Sequence, residues 1–551
     1  MNPAVPRLLT LVACLFAVSA QASDRFVCDC ATESLPACVA GNDGNSGTSP
    51  SSPLQSYEAG RLAFAGLDAG DSIRFCRGGS WDVGTTADHW VNASCRADTP
   101  CTVGAYTPAW ADDDSALPWI RRQTDDNGFA LQDGGSADHE EGYVFEDLHV
   151  SSVLGSSAND SGFLLQNDID DVVIQRVVIE GFRIGVYLSG SNDCSADPQC
   201  DGLNERIVLR DSHVEGNRSF GWLGSSNGSQ ILDSNFVGNG SLAVFDHNIY
   251  ISGSSGGVSD GMRIVGNHLY QATLDANGDC DAVSLVVHGE HRNLLIEANE
   301  VSEDVGKALP GCWGIAVDPG YSEAEAFTDV TIRGNRLRNV GRVAIGVASC
   351  QRCVIENNLI VQENAAADFD GIGIAAPDRN RAANDLPMDD ITVRNNSIYF
   401  GPAAAGIGIS LYEEGDDHVL VSNATHYAGT GDFACFDVDA APSRYLAMDH
   451  NLCYTPLNGG ADWVRSTASL DEWQLATGFD GHSGTGDPGF SDPANADLHP
   501  ASMLSLMVDQ GDPVRSSTTD ASGAMRDVAP DIGAWEWMTM PAAEVFANGF
   551  E

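Results

Sequence analysis

The stretch that decides the fold is Val330-Thr331-Ile332-Arg333-Gly334-Asn335-Arg336-Leu337, in which apolar and polar residues alternate up to an asparagine. The same pattern appears in Ile264-Val265-Gly266-Asn267-His268-Leu269 and in Ile391-Thr392-Val393-Arg394-Asn395-Asn396-Ser397-Ile398. Alternation with a period of two places one row of side chains inside and the other outside. Because a single coil cannot bury its inner row, the repeats predict a solenoid of stacked coils.

The asparagine recurs along the chain, and a Gly-rich strand such as Gly371-Ile372-Gly373-Ile374 completes each coil. Asparagine tolerates the left-handed backbone of a tight bend, and stacked amides can hydrogen-bond as a ladder. Coil length varies, so the extra residues must form loops, which usually build a binding face. The expected ladder positions are Asn235, Asn267, Asn299, Asn335, Asn358, Asn396 and Asn451.

These repeats resemble those of the right-handed parallel β-helix proteins, the superfamily of the pectate lyases and their relatives. The segment Gly41-Asn42-Asp43-Gly44-Asn45-Ser46-Gly47-Thr48 and the helical stretch from Tyr57 to Leu67 look like the usual N-terminal cap of that family, and Asp487-Pro488-Gly489-Phe490 looks like its common C-terminal end. The resemblance implies an all-β fold, a single-stranded right-handed parallel β-helix with an N-terminal helical cap and a C-terminal end region. We expect a signal peptide at 1–22, the cap and first coils at 23–144, the β-helix repeats at 145–455, and the last coils, end region and tail at 456–551.

The N-terminal residues have the pattern of a signal peptide. Arg7 supplies the positive charge, residues 8–20 are an apolar stretch, and Ala20-Gln21-Ala22 fits a cleavage site. The apolar stretch is too short to span a membrane, and no later segment approaches such a span. We therefore expect a secreted or cell-surface protein without an integral membrane segment.

Cysteine usage also indicates export, because the 15 cysteines include Cys14 in the predicted signal peptide and leave an even number after it. An even count in an exported chain is typical of disulfides. Cys28, Cys30, Cys38 and Cys76 form an N-terminal group whose pairing the sequence leaves open. The pairs expected from close spacing are Cys95–Cys101, Cys194–Cys200, Cys350–Cys353 and Cys435–Cys453.

The chain is strongly acidic, with 78 acidic and 28 basic residues, a formal net charge of −50 and a single lysine, Lys307. Such a charge repels nucleic acid and anionic membranes, so we exclude nucleic acid as a partner. We expect a monomer, and the resemblance implies a polysaccharide as its partner. The acidity fits life in salty water, and the alternative is that clustered aspartates bind divalent cations. Ca²⁺ therefore remains a candidate cofactor, with Asp368, Asp370, Asp385, Asp389 and Asp390 as the acidic group to consider.

Aligning the Gly-rich strands predicts which residues stack. We align Ile249 and Ile251 with Val186 and Leu188, with Val283 and Leu285, and with Ile315 and Val317, all pointing inward. In this register Cys280 and Cys312 each lie three residues before an aligned valine or isoleucine. Neighbouring coils are ~4.8 Å apart, which suits a disulfide between these two cysteines.

The same register predicts an aromatic stripe on one outer face. Tyr187 aligns with Tyr250, and Trp222 falls between them if Leu223 matches Leu188. Exposed aromatic rings suit stacking on the apolar faces of sugars, and the alternative is that these rings pack beneath a loop.

Beside the stripe lies the polar segment Asp246-His247-Asn248, in which His247 aligns with Asp281 of the next coil. A histidine beside a carboxylate has a raised pKa, as an acid or base catalyst requires. The alternative is a structural histidine that bonds a loop carbonyl. We take Asp246, His247 and Asp281 as candidate catalytic residues and Asn248 as a substrate-binding residue.

Further candidates follow the aligned strands. His288, Asp318 and Arg342 are expected to bind substrate. Because polysaccharide lyases of this fold commonly use Lys or Arg, often with Ca²⁺, the resemblance adds Lys307 as a catalytic candidate, although no lyase motif is present.

Two functions remain open at this point. The protein is expected to bind an extracellular polysaccharide along one outer face, with cleavage as a lyase or glycoside hydrolase left undecided. The alternative is a non-catalytic surface, adhesion or structural β-helix protein.

Overall fold

Nearly all strands of the protein run parallel and stack into three long sheets. The computed structural model describes residues 23–132, 142–166, 169–189, 204–241, 245–253, 258–365, 369–375, 384–412, 414–438, 441–457, 462–466 and 469–537. Each coil contributes to the three sheets in turn, so the chain is a right-handed parallel β-helix, and the predicted fold class is confirmed. The predicted signal peptide, Cys194, Cys200 and Asp368 lie outside the described residues.

The first sheet pairs each strand with the strands of the coils above and below it. Its strands are Asp24–Val27, Ser72–Cys76, Cys101–Tyr106, Tyr143–Glu146, Val172–Gln175, Val208–Arg210, Gln230–Leu232, Ser259–Asp260, Arg263–Val265, Glu290–Arg292, Leu295–Glu297, Ala326–Thr328, Thr331–Arg333, Cys350–Glu356, Asp389–Arg394, His418–Val421 and Tyr445–Asp449. The second sheet consists of Ser80–Val83, Trp119–Arg122, His149–Ser152, Val178–Glu180, His213–Glu215, Asn235–Val237, His268–Tyr270, Glu300–Ser302, Arg336–Arg338, Leu359–Gln362, Ser397–Phe400, Ala424–Tyr427 and Leu452–Tyr454.

The third sheet completes each coil with the Gly-rich strands, and it carries the surface that matters below. Its strands are Phe129–Gln132, Ser161–Gln166, Ile184–Ser189, Phe220–Leu223, His247–Ile251, Leu285–Val287, Ile315–Val317, Val343–Ala348, Phe369–Ala375, Gly406–Leu411, Phe433–Val438 and Asp462–Val464. The core lies inside the coils and is filled by the inward rows of all three sheets.

The predicted alignment places the inward residues on the correct face, but one of its offsets is wrong. Ile249 is in register with Leu285 and Ile251 with Val287, so the expected partners Val283 and Leu285 are each two residues too early. A shift of two keeps every side chain on its own face of the strand, because the side-chain period is two. The predicted Cys280–Cys312 disulfide is confirmed, with a Cα–Cα separation of 5.4 Å.

An asparagine ladder lines the bend between the first and second sheets. In each step the Oδ1 of one asparagine accepts hydrogen bonds from the backbone N–H and the Nδ2 of the asparagine one coil earlier; Asn299 donates both bonds to Asn335 at 3.0 Å. The second N–H of each Nδ2 donates to a backbone carbonyl oxygen, as that of Asn335 does to Ile296. The members are Asn267, Asn299, Asn335, Asn358, Asn396, Asn423 and Asn451, all with at most 1% exposure.

Two details of the predicted ladder are wrong. Asn235 is an exposed strand residue, and Ser234 donates its backbone N–H to Asn267 instead, while Asn423 is a member that the prediction omitted. The left-handed backbone belongs to the residue before each ladder position, for example Asn357 at φ 56° and Asn395 at φ 52°. The ladder asparagines are therefore selected for their two-sided amide and their burial rather than for a left-handed conformation.

Short helices lie near the first and the last coils. The α-helix Tyr57–Phe64 packs Tyr57 and Phe64 into the core of the first coils, although its role as a cap stays a prediction. A second helix, Leu470–Thr477, follows the last third-sheet strand, and the antiparallel pair Phe490–Asp492 and Asp497–Pro500 comes after it. The short 3-10 turns are Gly155–Ser157, Pro442–Arg444 and Pro493–Asn495.

The C-terminal segment folds back over the outer face of the second sheet. Met507, Ile532 and Trp535 form an apolar cluster with Leu359 and Tyr399 of that sheet. A buried ion pair of 2.9 Å between Arg526 and Glu536 anchors the segment. The last coils of the second sheet are therefore covered, and their outer face is closed to ligands.

Disulfides join neighbouring parts of the coils. The predicted pairs Cys95–Cys101, Cys350–Cys353 and Cys435–Cys453 are confirmed, and the N-terminal group pairs as Cys28–Cys76 and Cys30–Cys38. Such a set of disulfides fits an exported protein. No helix in the described part of the chain combines the length and the apolar character that a membrane crossing requires. The predicted domain boundaries remain predictions.

The contribution of the asparagine ladder to stability can be tested by substitution. The substitution Asn335→Ala removes the acceptor of two buried donors of Asn299, so we expect it to lower the free energy of unfolding by about 1–3 kcal/mol. The matched control is Asn235→Ala, an exposed asparagine outside the ladder, which should change stability by less than about 0.5 kcal/mol. Denaturant unfolding followed by far-UV circular dichroism measures both, and equal shifts in the two variants would contradict the assignment.

Candidate functional site

The predicted aromatic stripe is only partly present. Tyr187 and Tyr250 do share one outer row of the third sheet, but Leu223 stands between them. Trp222 is in register with Val186 and Ile249 of the inward row and is fully buried, so its expected outer position is wrong. The prediction matched Leu223 to Leu188, and an error of one residue moves a side chain to the opposite face.

A loop packs over Tyr250. The Tyr250 hydroxyl lies 2.9 Å from the Tyr321 hydroxyl, and the ring of His288 makes edge contacts with both tyrosines. The buried Glu325 holds this loop by accepting hydrogen bonds of 2.6 Å from the backbone N–H groups of Gly320 and Tyr321. Of the two alternatives for Tyr250, packing beneath a loop is the one that the structure contains.

His247 is a structural residue. Its side chain is almost fully buried, and its Nδ1 lies 2.8 Å from the carbonyl oxygen of Val283. Burial lowers the pKa of His247 to about 4, so the expected raised pKa beside a carboxylate is wrong. The shifted register is the reason, because it places Val283 rather than Asp281 opposite His247.

Of three more candidates, two are buried and one is exposed in an ion pair. Asn248 is buried in a second amide ladder, where its Oδ1 accepts from Asn239 and its Nδ2 donates to Ser284. Asp246 is almost fully buried, and its backbone carbonyl accepts a hydrogen bond from Thr273. Lys307 forms an exposed ion pair with Asp279.

An open cleft lies further along the third sheet. One part, about 240 Å³ in volume, is lined by Trp313, Asp318, Arg342, Asp370 and Tyr412 together with small strand residues. The predicted residues Asp318 and Arg342 thus meet in one place, and the Nδ1 of His288 lies 2.5 Å from the carbonyl oxygen of Asp318 at the cleft's end. The adjoining part, about 310 Å³, shares Arg342, Asp370 and Tyr412 and adds Asp432, Asp462 and Arg465.

The cleft exists because the central outer row loses its side chains at these coils. The row that begins with Tyr250 continues in register through Val286, Ala316, Gly346, Gly373 and Ser410 to Asp437. Glycine at two successive coils leaves a floor without side chains, and larger residues on both sides of the row form the walls. The ring of Trp313 lies against this floor, since a Cβ added at Gly346 would be 3.5 Å from it.

Asp370 is the most perturbed carboxyl group of the cleft. Burial raises its pKa to about 6, and the negative charge of Asp437 acts in the same direction. Arg342 and the Ser410 hydroxyl, which lies 3.4 Å from its Oδ2, oppose the shift. Near pH 6 this carboxyl group can therefore hold or release a proton.

The remaining charges of the cleft are arranged around Asp370. Arg465 forms an ion pair of 3.3 Å with Asp437. Arg342 is exposed, and its guanidinium makes no ion pair or hydrogen bond within the described residues. Burial raises the pKa of Tyr412, as do the nearby charges of Asp370 and Asp437, so its hydroxyl stays protonated.

Groups that could ligate a metal lie outside the cleft. Within the described ranges, two sets of three such side chains converge, namely Cys280, Glu303 and Cys312, and Asp449, His450 and His482. The cysteines of the first set form a disulfide. Of the acidic residues considered for Ca²⁺, Asp370 lines the cleft whereas Asp385 accepts a hydrogen bond from the backbone of Glu325, so the two serve different sites.

Sequence reasoning missed Trp313, Tyr412 and the role of Asp370. The available signal was the pair of outward glycines, Gly346 and Gly373, at the same position of successive coils. A gap in an outer row, flanked by charged and aromatic residues on the neighbouring rows, marks a cleft once the register is correct.

Comparison with known proteins adds little beyond the fold. No protein-family model and no curated protein sequence matches the chain. Solved structures that resemble it include a GH136 lacto-N-biosidase from Eubacterium ramulus (12% identity, TM-score 0.46, 72% of this chain and 68% of that one) and the A-module of the mannuronan C-5 epimerase AlgE4 from Azotobacter vinelandii (13% identity, TM-score 0.47, 71% and 95%). An alginate lyase from Paenibacillus sp. matches with 12% identity, a TM-score of 0.40, and coverage of 58% and 96%. At this level of similarity the likenesses carry no argument about activity.

The structural role of His247 can be tested by its titration. In a histidine-selective NMR titration we expect His247 to stay neutral down to about pH 5, because its pKa is about 4. His482 is the internal control, since its ion pair with Asp449 raises its pKa above the ordinary 6.5. As the pH falls, His247 takes up a proton in the unfolded state at a higher pH than in the folded state. Its contribution to the free energy of unfolding therefore decreases as the pH drops from about 6.5 towards 4. Titration of His247 above 6.5 would instead indicate a carboxylate partner.

Proposed function

We propose that the cleft binds a glycan and that Asp370 acts as the acid in cleavage of a glycosidic bond. The observation that carries the proposal is a carboxyl group with a pKa of about 6 in the wall of an open cleft with a side-chain-free floor. Perturbed carboxyl groups in clefts are candidates for catalysis, because burial keeps the proton on the group near neutral pH.

The walls of the cleft suit a sugar. Trp313 and Tyr412 offer aromatic surface, and the Tyr412 side chain is 39% exposed. Aromatic rings pack on the C–H faces of sugars, while carboxylates and guanidinium groups hydrogen-bond the hydroxyls. The larger part of the cleft, about 310 Å³, lies at the lower end of the size range of small-ligand sites, for which about 300–1,000 Å³ is usual.

The charge pattern supports an acid paired with a carboxylate. Asp370 holds its proton because it is buried, whereas Asp437 is paired with the Arg465 guanidinium. Glycoside hydrolases use two carboxyl groups in these two forms, one to protonate the leaving oxygen and one to activate water or attack the sugar. We assign Asp370 the first role and Asp437 the second.

The disulfides and the N-terminal sequence support a location outside the cytoplasm. Six disulfides in the described part of the chain and the predicted signal peptide support a secreted or cell-surface location, where extracellular glycans are available. A non-catalytic glycan-binding protein would use the same cleft, and the two variants below separate the two possibilities.

Filling the cleft should abolish binding. In Gly373→Val the new Cβ would be at least 3.4 Å from its neighbours, an ordinary contact, so we expect the fold to be retained while the methyl groups occupy the floor. Binding to the best ligand from a glycan panel should weaken at least tenfold, measured by isothermal titration calorimetry. Ser302→Val, an outward residue of the second sheet, is the control and should bind like the wild type. Unchanged binding in Gly373→Val would place the site elsewhere.

Removing the acid should separate binding from cleavage. Asp370→Asn should lower kcat by about 10²–10⁴-fold with little change in KM, because general acid catalysis contributes about that much. Activity of the wild type should fall as pH rises through about 6, since only the protonated acid works. Reducing-end release from the bound glycan measures both.

The control is Asp390→Asn, an exposed residue of the first sheet with left-handed backbone, φ 50°, that asparagine tolerates. It should retain wild-type activity. Binding without release of new ends by the wild-type protein would favour the non-catalytic function.

A further inference from the structure

We infer that the cleft selects an uncharged glycan and rejects uronic and sulfated chains. This inference rests on the proposed function, and it concerns which class of glycan the same site accepts.

The charges that face the cleft are the first step. Four carboxyl groups meet two guanidinium groups there: Asp318, Asp370, Asp432 and Asp462 against Arg342 and Arg465, and Arg465 is already paired with Asp437. A carboxylate or sulfate on the ligand would therefore enter a site with an excess of negative charge. Like charges brought together in a partly desolvated site are repelled, and salt screens them less than on an open surface.

The two arginines differ in how they meet the carboxyl groups of the protein. Arg465 pairs with Asp437 at 3.3 Å. Arg342 acts electrostatically on Asp370 and opposes the effect of burial on it. An anionic sugar would have to compete with Asp437 for Arg465, or take Arg342 away from Asp370. Arg465 is therefore occupied by Asp437, and Arg342 is the one guanidinium of the described cleft that a ligand could engage.

Hydrogen-bond chemistry leads to the same class of ligand. Ionised carboxylates only accept hydrogen bonds, so a cleft rich in them needs a ligand rich in donors. The hydroxyl groups of a neutral sugar donate, and their oxygens can accept from Arg342. A uronate carboxylate only accepts, so in place of a hydroxymethyl group it would set acceptor against acceptor wherever it meets an ionised carboxylate of the wall.

The field of the whole molecule adds to the local effect. The chain carries a formal net charge of −50 with a single lysine, and that lysine is paired with Asp279 away from the cleft. Such a field slows the approach of any polyanion and does not affect a neutral chain.

The test compares one glycan in two charge states. The full-length secreted protein is first screened against neutral galactan, glucomannan and arabinoxylan and against polygalacturonate, alginate and heparin. The best neutral ligand is then oxidised at its primary hydroxyls to carboxylates, and both forms are titrated by calorimetry in 0.15 M and 1 M NaCl. We expect the oxidised form to bind at least tenfold more weakly, with a smaller difference at high salt.

Variants assign the discrimination to the cleft. In the double variant Asp432→Asn and Asp462→Asn, the ratio of the affinity for the neutral glycan to that for the oxidised glycan should fall at least threefold. The double variant Asp113→Asn and Asp114→Asn, which changes the net charge by the same two units at exposed residues outside the cleft, is the control and should leave the ratio unchanged.

The outcomes separate this inference from the proposed function. If acidic glycans bind as tightly as neutral ones, and Arg342→Gln abolishes their binding, the inference is overturned while the glycan-binding function stands. If no glycan of either class binds, the proposed function fails and takes the inference with it. Neutral binding that is lost in Gly373→Val supports both.

Discussion

The structure depends on the hydrogen-bond ladder of buried asparagine amides at the bend between the first and second sheets. Each amide is enclosed, so a coil that slipped by one residue would leave a buried N–H and an Nδ2 donor without their acceptor. The ladder therefore fixes the register of the coils from Asn267 to Asn451 against one another. Once the register is fixed, outer side chains at the same position form continuous rows along the rod.

Those rows turn a local sequence choice into a surface feature. A single outward glycine on a sheet leaves only a dimple, but Gly346 and Gly373 occupy the same position in successive coils. Their gaps merge, and Ser410 in the next coil continues the floor. Asp370 and Tyr412 stand on the adjoining rows and thereby become walls. The cleft is thus a consequence of stacking in register, and no coil contains it alone.

The solenoid could be predicted from the sequence because it depends on the repeat of the apolar pattern and on which face of a strand each residue occupies. The alignment of Ile249 with Val283 was off by two, and an even shift keeps each side chain on its face; the Cys280–Cys312 disulfide was predicted correctly because both cysteines precede strands of neighbouring coils. Trp222 was placed wrongly because its alignment was off by one, which exchanges inside for outside.

The site was harder to predict because it depends on contacts between residues distant in sequence. The burial of Tyr250 results from a loop that carries Tyr321, 71 positions further along the chain, and nothing in the residues around Tyr250 encodes that cover. The pKa of Asp370 depends on Arg342 and Asp437, which lie on other coils. A sequence pattern identifies which residues are polar and outward, but their desolvation is a property of the assembled surface.

Covering segments decide which part of the rod can act. The C-terminal segment closes the last coils of the second sheet, and the Tyr321 loop closes the third sheet over Tyr250, so the open cleft begins where that loop ends. The charged groups there stand on paired strands or directly beside them, and main-chain hydrogen bonds on both sides restrain the backbone. That rigidity matters for Asp370, because a flexible carboxyl group would turn towards water and regain its ordinary pKa. The same ladder that sets the register thus also helps to keep a proton on the group that we assign as the acid.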